Sequence, residues 1–207
     1  MIQTYGDPDA SLILIQPVDD HDMEEIEEEI EAIKKLTEKK FCLLTYKVKD
    51  WNRDLSPWEA PAVFGKEDFG GKAEETLAEI GKLCEDKEKT YVIGGYSLAG
   101  LFALWAVSKT NVFKGAAAAS PSVWFPGFVE YMKENSLHAD HVYLSLGDKE
   151  EKARNPVMAR VGDCIRETEK ILVEKEIDCI LEWNEGNHFK DAGKRTAKGF
   201  AWVVNKL

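Results

Sequence analysis

The chain of 207 residues contains 44% hydrophobic and 31% charged residues, with only 15 glycines and 7 prolines. This composition fits one globular domain spanning residues 1–207, and it excludes collagen-like, low-complexity and largely disordered chains. The formal net charge of −11 at pH 7 disfavours nucleic acids and anionic membrane surfaces as partners. A small molecule is the expected partner, and the oligomeric state stays open.

Neither the N-terminus nor the cysteines indicate export or a membrane anchor. The first residues lack the basic and apolar regions of a secretory signal, and no apolar run approaches the roughly 20 residues that cross a bilayer. Four cysteines lie far apart without a CxxC pair, which favours reduced, buried thiols over a zinc site or a disulfide framework. They are Cys42, Cys84, Cys164 and Cys179. These features predict a cytoplasmic protein.

Short apolar runs alternate with segments of helical period along the chain, a pattern typical of an α/β domain. Most runs are apolar without strict alternation, as expected for parallel strands covered on both faces. Six strands are predicted, at residues 11–16, 41–46, 90–94, 114–119, 141–146 and 177–183. We therefore expect a three-layer, doubly wound, mostly parallel six-stranded sheet.

Helical periodicity is clearest after the first strand, where apolar residues recur every three or four positions at residues 23–36. Seven carboxylates at residues 22–31 occupy the other faces, and lysines follow. This arrangement complements the helix dipole, so it favours a solvated helix over an acidic ligand site. Further helices are predicted at residues 73–84, from an Asn155-Pro156 start, and at residues 192–205.

Residues 50–71 show no clear period and are rich in aromatic side chains. Long irregular segments of compact domains are often functional, because they must be held by their own packing. Two interpretations stay open: the segment covers part of the core, or it forms a wall of a pocket. Its aromatic residues are Trp51, Trp58, Phe64 and Phe69.

The most informative string is GGYSLAG, which carries Ser97 and joins a predicted apolar strand to an apolar helix. A serine on such a turn is typical of a nucleophile elbow, where the residues two before and two after it must be small. Gly95 and Ala99 occupy these positions, and Gly100 follows. The string thus predicts a serine nucleophile, against the alternative of a glycine-rich turn before a buried helix.

A nucleophile at a helix start has oxyanion donors close by, because the first N–H groups of a helix lack intrahelical acceptors. The N–H of Leu98 is the first candidate donor. The second should come from the loop after the first strand, where Pro17 has no N–H. Val18 or its neighbour is therefore the expected second donor.

Four histidines could serve as the base, and their positions relative to the sheet discriminate among them. His188 follows the last strand, so it lies at the same carboxyl edge of a parallel sheet as Ser97. His138 and His141 lie at the opposite edge, and His21 belongs to an acidic helix start where capping or solvent exposure is expected. His188 is the predicted general base, and a role in loop packing is its alternative.

A third residue must accept the other imidazole N–H and fix the orientation of the ring. The loop after the fifth strand offers Asp148, Glu150 and Glu151. Glu150 is preferred because it lies three residues beyond Gly147, far enough for the chain to turn back toward the histidine. Asp148 is the alternate acid. The order serine, acid, histidine is that of nucleophile-elbow enzymes rather than of chymotrypsin or subtilisin.

Three segments give the chain a resemblance to a known superfamily: GGYSLAGLFALW around Ser97, ASPSVWF at residues 119–125, and GNHF around His188. With them, the sequence resembles the α/β-hydrolases, and specifically their compact branch with the esterase D and ferric-enterobactin esterase types. The resemblance implies a serine hydrolase of carboxylic esters without a metal or organic cofactor. It also implies that the segment SPSVWF borders the active site, which places Trp124 near the substrate. The absence of an insertion large enough for a lid domain implies a minimal fold with an open site.

The predicted function is ester hydrolysis through an acyl-enzyme, carried by Ser97, Glu150 and His188. An acyltransferase would use the same residues, and a non-catalytic scaffold that binds a ligand or a protein is the alternative from another class. A metal-dependent hydrolase built on residues 19–22 ranks last, since four adjacent residues cannot all face one ion. An aromatic substrate mouth is predicted from Trp51, Trp58, Trp124 and Phe189, with the core as the alternative place for each.

Overall fold

The computed structural model describes residues 1–63 and 65–207, so the aromatic Phe64 lies outside the described residues. Its centre is a seven-stranded sheet, accompanied by a two-stranded ribbon made of β4 and β5. The strands in chain order are β1 (Ile2–Gly6), β2 (Leu12–Val18), β3 (Cys42–Lys47), β4 (Glu59–Ala60), β5 (Phe69–Gly70), β6 (Thr90–Tyr96), β7 (Phe113–Ala119), β8 (His141–Gly147) and β9 (Asp178–Asn184).

The sheet has the order β1-β3-β2-β6-β7-β8-β9, and all neighbours pair in parallel except β1, which runs antiparallel to β3. The six predicted strands are confirmed with small shifts of their ends. The predicted count of six is wrong, because β1 adds a seventh strand. Its sequence, IQTYG, is mostly exposed at the sheet edge, so it lacks the apolar run by which buried strands are recognised.

Helices cover both faces of the sheet, as the prediction of three layers requires. They are α1 (Asp20–Leu36), α2 (Trp51–Leu55), α3 (Ala73–Gly81), α4 (Leu98–Lys109), α5 (Phe128–Glu134), α6 (Val161–Glu174) and α7 (Ala192–Lys206). Apolar residues of α1 and α7 form one core with one face of the sheet, and those of α3 to α6 form a larger core on the other face. Among the described residues, no helix has the length and hydropathy needed to cross a membrane.

The start of α6 differs from the predicted start at Pro156. The Asn155 side chain accepts hydrogen bonds from the N–H groups of Val157 (2.9 Å) and Met158 (3.3 Å). The turn that it caps is a short 3₁₀ segment, Met158–Arg160, and the α-helix begins only at Val161. All four cysteines carry free thiols, of which Cys42 and Cys164 are buried and the other two are half-buried.

The acidic run after β2 is a helix with mostly solvated carboxylates, as predicted, but Glu29 is an exception. Asp19 and Asp22 form a reciprocal capping box at the start of α1. Glu29 lies only 4% exposed, where Oε2 accepts from the Gln16 amide at 3.3 Å and Oε1 has no partner among the described residues. Burial raises the pKa of Glu29 well above its ordinary value.

Glu29→Gln is expected to stabilise the protein at alkaline pH. Because the folded pKa is raised, the folded state holds a proton that the unfolded chain releases, so the free energy of unfolding falls as pH rises above the ordinary value of 4.5. Glutamine removes this loss, and we expect a gain of about 1 kcal/mol at pH 8. Urea unfolding at pH 5 and pH 8 measures it. Glu28→Gln, at an exposed position of α1, is the control and should change neither value.

Candidate active site

Ser97 occupies the turn between β6 and α4 in a strained backbone conformation, with φ 56° and ψ −117°. A non-glycine residue at such positive φ is rare and usually marks a functional site. The turn is tight enough that a Cβ added to Gly95 would lie 2.6 Å from the Cβ of Ala99. The small residues around the serine are therefore a steric requirement of the turn, as the sequence predicted.

Gly95→Ala is expected to destabilise the protein by about 1–3 kcal/mol through overpacking and to displace the serine. The control is Gly81→Ala at the end of α3, where an added Cβ meets nothing within 4 Å. That change should be neutral or slightly stabilising. Thermal unfolding of both variants measures the difference, and equal stability of the two would show that the turn is not sterically limited.

Three side chains from distant parts of the chain form a continuous row of hydrogen bonds. The Oγ atom of Ser97 lies 3.0 Å from Nε2 of His188. The other ring nitrogen, Nδ1, lies 2.6 Å from Oε2 of Glu150. His188 is on the loop between β9 and α7, and Glu150 begins a short 3₁₀ turn, Glu150–Lys152, that follows β8. The parallel sheet brings all three residues to its carboxyl edge.

The environment of Glu150 favours its ionised form. Its second oxygen, Oε1, accepts hydrogen bonds from the N–H of Gly147 (2.7 Å), the hydroxyl of Ser120 (2.7 Å) and the guanidinium of Arg195 (3.0 Å). Burial alone would raise the pKa of Glu150, but the hydrogen bond and charge of His188, with the hydrogen bonds from Ser120 and Gly147, hold that pKa below its ordinary value. The carboxylate is thus available to orient the imidazole.

The other two candidate acids have different partners. Asp148 accepts a hydrogen bond from the N–H of Gly186 at 2.7 Å and so links the loop after β8 to the loop that carries the histidine. Glu151 forms an ion pair with Arg166 at 2.8 Å. Of the three carboxylates, Glu150 is the one whose oxygen reaches the imidazole.

The two predicted oxyanion donors lie near the carboxyl ends of two neighbouring strands, β6 and β2. Leu98 is the first residue of α4, where the N–H has no intrahelical acceptor. Val18 ends β2, which pairs directly with β6, and its carbonyl accepts the N–H of Val48. Their roles as donors stay predictions.

A cavity of about 240 Å³ opens beside His188. Trp124, predicted to lie near the substrate, lines it, and so does Phe189, which is 88% exposed. The full lining comprises Ser120, Trp124, Lys149, Glu150, Lys152, Ala153, Met158, Val161, Asn187, His188 and Phe189. Polar and apolar side chains both line it, but most of the wall surface is apolar, which suits an organic ligand.

Trp51 and Trp58, the other predicted substrate-binding residues, are not among the residues lining this cavity. The indole of Trp58 packs against Phe125, Phe128 and Tyr131, and its N–H donates to the carbonyl of Pro126 at 2.9 Å. Trp51 is half-buried against the main core at the start of α2. The aromatic segment thus covers the core at both positions, and their contact with substrate stays a prediction without support from the cavity.

The remaining histidines and the acidic run serve other purposes. His141 pairs with Asp178 at the opposite end of β8, and His21 lies beside Glu24 on the exposed face of α1. His138 lies just before β8, and its N–H donates to the carbonyl of Val107. Within residues 1–63 and 65–207, no group of three or more His, Cys, Asp or Glu side chains is arranged to hold a metal ion.

Tyr96 and Arg195 were not predicted as site residues from the sequence, whereas Ser120 and Ser122 lie in the segment SPSVWF, which the resemblance places at the border of the active site. The hydroxyl of Ser122 lies 3.3 Å from that of Ser97. Arg195 could have been found, because it precedes Gly199 and Val203 by one and two helical turns on the buried face of α7. A charged residue on a buried helix face is an informative signal.

Comparisons with solved structures identify the fold. Over 97% of this chain and 74% of the other, the protein is similar to an IroE-like serine hydrolase from Shewanella oneidensis (TM-score 0.75, 14% identity). It is also similar to the siderophore hydrolase EstA from Aspergillus nidulans (TM-score 0.72, 18% identity, 99% and 89% of the chains). A carboxylesterase from Bacillus cereus matches with TM-score 0.64 and 16% identity over 100% and 93% of the chains.

No sequence-family model and no curated protein sequence matches the chain. At such low identities, the structural similarities establish the fold alone. That fold is an α/β fold with a mostly parallel sheet flanked by helices, similar to the folds of small hydrolases and esterases, which confirms the predicted resemblance and the predicted fold class apart from the number of strands.

Proposed function

We propose that the protein is a serine hydrolase that cleaves a carboxylic ester through an acyl-enzyme. The observation that carries the proposal is the unbroken row of hydrogen bonds from Ser97 through His188 to Glu150, with distances of 3.0 and 2.6 Å. A nucleophile on a strained turn, hydrogen-bonded to a base that is itself oriented by an acid, has the geometry of nucleophilic catalysis.

Each residue has one role in the proposed reaction. Ser97 attacks the ester carbonyl while His188 takes its proton, and the N–H of Leu98 donates to the developing oxyanion. His188 then gives that proton to the departing alkoxide, which leaves as an alcohol and frees the acyl-enzyme. Water, deprotonated by the same imidazole, then attacks the acyl carbonyl. The bond between the acyl carbon and Oγ of Ser97 breaks, the acid leaves, and the imidazolium returns the proton to Oγ. Glu150 stays ionised throughout and stabilises the imidazolium.

The names of similar structures agree with this chemistry, since they are described as a serine hydrolase, a siderophore hydrolase and a carboxylesterase. The apolar cavity beside His188 supports an organic acyl or alcohol group as the bound part of the substrate. None of the steps above requires a metal or an organic cofactor. We propose a small-molecule ester as the substrate on these grounds.

Labelling with a fluorophosphonate probe tests the proposal. The probe should modify the protein once, at Ser97, as identified by peptide mass spectrometry, and Ser97→Ala should not be modified. Ser122→Ala is the matched control, because it removes the neighbouring hydroxyl and should still be labelled. Labelling that persists in Ser97→Ala would refute the assignment. Product analysis with added alcohols then separates hydrolysis from acyl transfer.

A further inference from the structure

Arg195 is a buried cation that has no role in the steps of the proposed reaction. Its side chain is 2% exposed. Because arginine is rarely buried without a specific partner, its contacts indicate its role. One nitrogen, Nη1, donates to Oε1 of Glu150 at 3.0 Å, to the hydroxyl of Ser120 at 3.2 Å and to that of Tyr96 at 3.1 Å. The guanidinium therefore contacts one oxygen of the carboxylate, while the imidazole contacts the other.

The other nitrogen of the same side chain holds the loop that carries His188. Nη2 donates to the carbonyls of Glu185 (3.2 Å) and Asn187 (3.1 Å), which lie on that loop. The hydroxyl of Tyr96, itself bound by Arg195, donates to the carbonyl of His188 at 2.8 Å. The guanidinium fork thus joins the acid and the base loop through one rigid group, a geometry that a lysine ammonium cannot reproduce.

We propose that Arg195 is a positioning residue that fixes Glu150 and the His188 loop relative to each other and sets the pH range in which the imidazole is free to act as base. The inference rests on the proposed function. A positive charge beside the carboxylate weakens the hold of that carboxylate on the imidazolium proton. Removal of this charge should strengthen that hold, so the neutral imidazole should form only at higher pH.

Other charged groups surround the pair, and all of them remain in a variant at position 195. Asp148 is bound to the Gly186 N–H, and Tyr96, whose pKa burial and the Glu150 charge raise to about 12, is neutral. The remaining groups are the ion pairs Glu151–Arg166 and Glu185–Lys190, the cavity lysines Lys149 and Lys152, and His21, Asp22, Glu25 and Glu29 of α1 beyond Tyr96. A change in the pH profile between variants therefore reports on Arg195.

The test compares Arg195→Met with Arg195→Lys in the pH dependence of kcat/KM for a chromogenic ester. Arg195→Met should lose about 100-fold in kcat, because the base is misplaced. The acid limb of its pH profile, where kcat/KM falls as the pH is lowered, should also move upward by about one pH unit. Arg195→Lys keeps the charge, so its limb should stay near that of the wild type while kcat falls about tenfold. Arg166→Met removes a nearby arginine that pairs with Glu151, and it should change neither quantity.

A purely structural role would lower the yield and the melting temperature but leave the acid limb of the folded enzyme in place. An unchanged limb in folded Arg195→Met, or failure of both variants at this position to fold, would overturn the inference. The pH dependence of fluorophosphonate labelling gives the same readout without turnover. A wild-type protein that neither hydrolyses esters nor reacts with the probe would instead overturn the proposed function itself.

Discussion

Replacing Ser97 or His188 with alanine is expected to lower kcat/KM for a chromogenic ester by about 10⁴-fold or more. In the proposed reaction the serine supplies the nucleophile, and the imidazole 3.0 Å away supplies the base that makes the hydroxyl reactive. Because the two act as one unit, the double variant should be no slower than either single variant by more than a few-fold. Initial rates with short-chain and long-chain acyl esters measure the effect.

Ser108→Ala is a suitable control for this comparison. Its hydroxyl lies at the other end of α4, bound to the carbonyl of Trp105, and its removal should leave the rate nearly unchanged. Rates of His188→Ala equal to those of the wild type would favour a non-catalytic scaffold. Additive losses in the double variant would indicate that serine and histidine act separately.

Glu150→Gln is expected to lower kcat by about 10³- to 10⁴-fold, since glutamine keeps the size of the side chain but not its charge. The matched change is Asp148→Asn, which removes a carboxylate that contacts the Gly186 N–H rather than the imidazole. Asn keeps an acceptor oxygen for that N–H, so its loss should stay below about tenfold. Steady-state kinetics at pH 7.5 compares the two variants.

The lowered pKa of Glu150 also predicts a difference in acid stability between Glu150→Gln and the wild type. Because the folded pKa of Glu150 is lowered, its contribution to stability is present above the unfolded value of 4.5 and is lost as pH falls through the folded value. Glu150→Gln should lack this part of the acid unfolding transition. A larger kinetic loss for Asp148→Asn than for Glu150→Gln would transfer the acid role to Asp148.

The local features of the site were predictable because they depend on short stretches of chain. A turn as tight as the one at Ser97 demands small neighbours, and those neighbours lie within a few residues of it. The buried helix after the serine was equally readable, since every residue from Leu98 to Val107 is apolar or small and all of them are buried. The apolar strands followed from the same local composition.

Features that depend on the exposed edge or on distant pairs were not readable in this way. β1 is held by backbone hydrogen bonds to β3 and buries little apolar surface, so its composition carries no strand signal. Glu29 is one of seven carboxylates in the same stretch of sequence. Only the packing of α1 against β2 and α7 shows that Glu29 is the buried one.

The sequence by itself indicated the α/β fold and placed Ser97 and His188 at one edge of the sheet, because parallel strands deliver their carboxyl ends to one edge whatever the details of packing. The sequence preferred Glu150 but left Asp148 and Glu151 open, and only the tertiary structure shows which carboxylate reaches the imidazole and brings Arg195 to it across 45 positions of chain. The reason is physical: a hydrogen bond is decided within a few tenths of an ångström, whereas spacing along the sequence locates a side chain in a flexible loop only to within several ångströms.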